Sequence, residues 1–324
     1  MSEAVVRSIA ARAETAAVEA AWAQWSALTT AAVPSSARPV WTIIDPEALV
    51  LLTLAIRDRE RRSGDVMAAW LRLGSGLLSV QRLKTLAKRF PPPVREAVGD
   101  FAREAAGAGD RRWVRHAAVA SGDDEDDRRK ESGPLRLTGG AALMLRLRAG
   151  FGVGAKADLL AFLLGMHGMP AELRVVATAT GYTIRALRNA SDEMTLARLI
   201  RAAGGTPVSY AADHRRWADL LEIHRTEDGN RAVADVPPWR FWWVAFAFLT
   251  EVMAWGQAAE TEGWSPYVAS SRARDLVEGS LPRLRYLRWR MPDPGSSPGT
   301  AYLDAFARLV DEAAQWTADS LYGE

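Results

Sequence analysis

Arg185, Arg188 and Asn189 lie three and four positions apart, so a helix through them carries all three on one face. Arginine offers a planar fork of donors that fits guanine O6 and N7 or a phosphate, and asparagine fits adenine N6 and N7. The chemistry available to such a face is readout of a DNA duplex. Other reactive side chains are less ordered. The histidines His116, His167, His214 and His224 have no metal-type spacing and no carboxylate cluster beside them, so no metal ligands are assigned. There is no cysteine, which removes thiol catalysis and cysteine-ligated zinc. The glycine-rich stretch 150–157 places Lys156 away from glycine with no Ser or Thr after it, and so fails as a phosphate loop. No catalytic residues and no cofactor are assigned, and the chain is read as a non-enzyme.

The elements around 185–189 say how such a face would be held. Ala177 is small where two helices must cross, and Gly181 allows the left-handed backbone of a tight turn. Thr183 is placed to cap the next helix. That helix, over about 183–194, turns Ile184, Leu187, Ser191 and Met194 to one side and the two arginines with Asn189 to the other. A first helix over 156–164 directs Leu159, Leu160, Leu163 and Leu164 inward, and a second runs over 171–179 with Leu173, Val176 and Ala177. Segments 198–202 and 206–211 flank Ala203-Gly204-Gly205, a turn triplet suited to a hairpin, before a closing helix from Trp217. Between Tyr182 and Arg216 there are six arginines against three acids. That excess suits phosphate. Asp192 counts against it, unless it pairs with Arg188 four residues earlier.

The central third thereby resembles the winged helix-turn-helix family of bacterial transcription regulators, of the MarR-like and PaaX-like kind. The resemblance spans about 150–221 and rests on Ala177-x-x-x-Gly181-Tyr182-Thr183, the arginine-bearing helix, the glycine-containing wing at about 198–211 and Trp217. It implies duplex DNA binding, with the third helix in the major groove and the wing near the backbone or minor groove. Arg185, Arg188 and Asn189 are then assigned to base edges. Tyr182, Thr183, Arg198 and Arg201 are assigned to phosphate or wing contacts, and Lys156 to a nearby phosphate.

The rest of the chain reads as helical, giving a mainly α, multi-domain protein: an N-terminal helical domain over 1–107, a charged linker over 108–134, the winged unit over 135–225 and a Trp-rich helical domain over 236–324. Helices are expected over 3–28, from Asp45-Pro46-Glu47 to about Arg62, near 66–73 and from Ser79 to Phe90. In the last of these Arg82, Lys84, Lys88 and Arg89 form a basic face, solvated or touching nucleic acid. Segment 283–290 alternates arginine with Tyr286 and Trp289, to hold phosphates and stack bases or to pack arginine on aromatic rings. Trp239, Trp242, Trp243 and Trp255 are read as core or as a dimer seam.

Bulk properties set few limits. The 324 residues carry a net charge of only +2, and the pI is about 9.0. Met1 to Thr30 holds Glu3, Glu14 and Glu19 and does not read as a secretory leader. The most apolar run, 241–249, is far shorter than the roughly 20 residues of a membrane span. The expectation is a cytoplasmic homodimer that binds double-stranded DNA as a transcription regulator. The alternative is an interaction scaffold or antitoxin-like protein whose winged helix binds a protein partner, and an enzyme site assembled from remote residues ranks third.

Overall fold

A computed structural model describes residues 2–29, 38–117, 135, 137–227, 231–293 and 295–323. The protein is mainly α. The first helix, α1 (Ser2–Leu28), spans the expected segment. Helix α2 (Pro46–Ile56) starts where Asp45 accepts a hydrogen bond from the Ala48 amide at 3.1 Å, with Pro46 in the first turn. It stops at Ile56, short of the expected Arg62, and α3 (Arg61–Gly74) follows. Ser79 caps α4 (Val80–Ala87), accepting from the Arg82 amide at 3.2 Å. Helix α4 ends at Ala87, short of the expected Phe90, and Pro91-Pro92-Pro93 opens α5 (Pro92–Gly107), because proline lacks only an amide that a first turn leaves unused.

Segments 1–107 and 236–324, read from the sequence as separate N- and C-terminal domains, contribute to one shared core. The C-terminal helices are α11 (Trp242–Glu262), α12 (Pro266–Leu284) and α13 (Tyr302–Tyr322). Helix α11 is apolar nearly all round from Trp242 to Gly256, with Glu251 the exception, and is buried along most of its length. It crosses α1 closely: a Cβ on Gly256 would lie 2.3 Å from the Cβ of Ala10. Trp242, Trp243 and Trp255 are buried in this core and Trp239 in the second one described below, in line with the core reading. The expected linker over 108–134 is described only to residue 117. Up to there the chain stays packed, with Trp113 fully buried edge-on to Phe101 at 5.1 Å. Residues 118–134, including the acidic run 123–127, lie outside the described residues.

A second core is built mostly from the middle of the chain, with Ile43, Val236 and Trp239 added from the flanking segments. It comprises α6 (Leu143–Phe151), α7 (Ala155–Gly165), strand β1 (Ala171–Glu172), α8 (Leu173–Thr180), α9 (Ile184–Leu196), β2 (Arg201–Ala203), β3 (Ser209–Ala211) and α10 (His214–Leu220). The four leucines of α7 named above are fully buried, as expected. The hairpin β2–β3 is shorter than the 198–211 span read from the sequence, because Arg198, at φ +58, belongs to the turn that closes α9 and pairing begins only at Arg201. Strand β1, where helix was expected, pairs antiparallel with β3 and makes a three-stranded sheet in the order β1-β3-β2. A further hairpin, β4 (His224–Glu227) with β5 (Arg231–Ala234), was not anticipated.

Candidate nucleic-acid interface

The turn before α9 is built as its residues dictate. Gly181 takes φ +75 and its amide returns to the Ala177 carbonyl at 2.9 Å, closing α8 with a left-handed residue. Thr183 then accepts from the Ala186 amide at 3.2 Å and caps α9. From this start α9 buries Leu187, Ala190, Ser191 and Met194 and exposes Arg185, Arg188, Asn189 and Asp192. Ile184, expected on the buried side, is 42% exposed, since it sits in the first turn at the rim of the core.

The assigned residues divide into two groups. Arg185, Arg188, Asn189, Arg198 and Arg201 stand exposed, and none has an ion-pair partner among the described residues. The Arg188–Asp192 pair considered from spacing does not form. Thr183 is exposed, but its hydroxyl is used by the cap. Lys156 is ion-paired with Glu193 of α9, so it neutralises an acid of the same helix instead of standing free for phosphate. Tyr182 turns inward. Its hydroxyl is buried, and burial together with the Asp158 carboxylate raises its pKa well above the ordinary phenol value. That orientation removes it from the outward face.

Tyr182 lies beside a fully buried cluster of five charges that sequence reasoning did not find. Arg82 grips Asp45 with two bonds, Nη1 to Oδ1 at 2.6 Å and Nη2 to Oδ2 at 2.7 Å, and also binds Glu47 and the Thr180 carbonyl. Arg148 grips Asp158 at 2.7 Å twice and Glu47 at 2.6 and 3.0 Å. The Ser79 amide donates to Glu47 at 2.7 Å. Burial disfavours the Glu47 carboxylate, but Arg148 and Arg82 outweigh it and lower its pKa to about 2. The basic face assigned to the helix after Ser79 is therefore broken at Arg82, which is 1% exposed. Its neighbours could not reveal this, because its partners lie 35 to 98 positions away.

The cluster joins α2 and α4 of the first core to α6, α7 and the end of α8 in the second. Two more bonds fix that end: Trp243 Nε1 donates to the Thr178 carbonyl at 2.9 Å, and the Thr178 hydroxyl meets the Tyr286 hydroxyl at 3.2 Å. Tyr286 stacks on Phe241 at 5.0 Å and Arg285 lies over Tyr286, so this part of segment 283–290 packs arginine on an aromatic ring. The base of α9 is thus held from both ends of the chain.

The histidines also gather where sequence spacing gave no sign of it. His167 and His214 stack at 5.0 Å with an interplanar angle of 12°, and Asp235 lies beside them. Burial and then His167 lower the pKa of His214 below the usual imidazole value. Comparison with known proteins yields no matching family, no matching curated protein and no matching solved structure.

Proposed function

We propose that this protein binds double-stranded DNA through a winged helix-turn-helix unit and acts as a transcription regulator, with α9 entering the major groove. The observation that carries the reading is the division of α9. One side is anchored by Leu187, Ser191 and Met194, while Arg185, Arg188 and Asn189 on the other are exposed and carry no ion pair among the described residues. The order helix, strand, helix, helix and hairpin, with the first strand joined to the hairpin, supports the winged form. Arg201 and Arg198 lie at the base of the hairpin, where a duplex backbone would pass. One such helix spans few base pairs, so a homodimer reading half-sites about 34 Å apart completes the proposal.

Fluorescence anisotropy with duplex pools, followed by the selected site, tests it. Arg188→Ala is expected to weaken the selected site by about 1–3 kcal/mol. Affinity for any duplex should fall steeply as salt rises, because phosphate contacts release counterions. Absence of duplex binding at low salt, or equal affinity of the Arg188→Ala variant, overturns the reading and leaves the surface to a protein partner.

A further inference from the structure

His167, His214 and Asp235 come from three separate elements: the turn after α7, the first residue of α10 and the residue that follows β5. One potential ligand atom from each lies within 4.8 Å of the other two. We propose that these three side chains bind one divalent first-row transition-metal ion of the zinc type. Two imidazoles and a carboxylate are donors suited to that class, whereas magnesium and calcium require shells of oxygen. Three protein ligands leave a fourth position to solvent, and His167 is exposed, which gives an ion a way in.

The distances are close to what such an ion needs. Bonds of about 2.0–2.1 Å in a tetrahedron set donors roughly 3.3 Å apart. His214 Nε2 and Asp235 Oδ1 are already 3.8 Å apart. Binding turns one imidazole out of the 12° stack, so that the in-plane nitrogen lone pairs of both rings meet at the ion. Oδ1 also accepts from the Val236 amide at 2.9 Å, which holds the carboxylate in place.

The backbone is arranged to the same end. His167 and Gly168 take φ +52 and +79, two successive left-handed residues. A side-chain-bearing residue seldom adopts that conformation, and such residues concentrate where function demands a particular geometry. The result is to bring the His167 ring against that of His214. The turn comes so close that a Cβ on Gly168 would lie 3.7 Å from His214 Nδ1. A bound ion would pin the turn after α7 to α10 and to the segment leading into α11, and so would stabilise the folded chain by mass action.

Calorimetric titration of the full chain with zinc chloride, paired with cobalt(II) absorption, tests the site. The expected result is one ion per chain, an intense visible cobalt spectrum and a thermal midpoint that rises with zinc. Asp235→Asn and His214→Ala, each verified as folded by circular dichroism, should weaken zinc at least tenfold, and His116→Ala should not. No binding by the unaltered chain, or equal affinity in Asp235→Asn and His214→Ala, overturns the proposal. Neither outcome depends on DNA, so the site stands or falls independently of the proposed interface.

Discussion

Arg82 and Lys84 are two positions apart on one short helix, yet Arg82 is sealed inside five-residue electrostatics and Lys84 is exposed. Composition treats them alike, and their environments separate them. Arginine suits the buried position because its planar fork satisfies two carboxylates and a carbonyl at once, which a lysine ammonium could not do. The same dependence on partners governs Lys156, matched to Glu193, and Tyr182, drawn inward by the turn. Residues whose roles are local were legible: Asp45, Ser79 and Thr183 each cap the helix expected of them, since a cap needs only an amide two or three positions on. Thr183→Ala is expected to cost about 1 kcal/mol of stability. Urea unfolding of the variant measures it, and an unchanged midpoint would show that the cap bond contributes nothing.

At the level of elements, α9 depends on what lies beneath it. Its leading turn packs on α4, where a Cβ at Gly181 would meet Leu86 at 3.4 Å, and α8 before it is tied to α11 through Thr178. A helix seated in this way presents its arginines in a fixed direction, which lowers the ordering cost of recognition. The buried cluster is a further tie, between the two cores. Arg148→Met leaves three carboxylates buried with Arg82 alone, so unfolding experiments should find a loss of about 3–5 kcal/mol. A loss below about 1 kcal/mol, typical of exposed pairs, would mean that the cluster does not join the two cores. The α7, α8 and α9 helices were readable from apolar spacing, as were the ends of α1. Strand β1 and the pair β4–β5 were not, since two to four residues leave too short an alternation to distinguish from loop.

At the level of the whole molecule, three carboxylates and two guanidiniums held out of water link the fold to pH. Glu47 has its pKa lowered from 4.5 to about 2 in the folded protein. The unfolded chain therefore takes up a proton first, and the stability Glu47 supplies is complete above about pH 4.5 and is lost as pH falls toward about 2. Thermal midpoints should drop through that window, and Glu47→Gln should start lower and show a shallower slope. A variant with the unaltered slope would place the acid sensitivity elsewhere. Among the described residues no helix is long and apolar enough to cross a membrane, which agrees with the short run at 241–249. By itself the sequence determined α1, the starts and caps of α2, α4 and α9, the glycine turn and most of the anchored and outward sides of α9, because each follows from neighbours within about one turn. Only the tertiary structure decided that both ends of the chain share a core, that Arg82 and Arg148 are buried, and that His167, His214 and Asp235 meet. Those outcomes depend on which distant surfaces exclude water together, and spacing along a chain does not encode that.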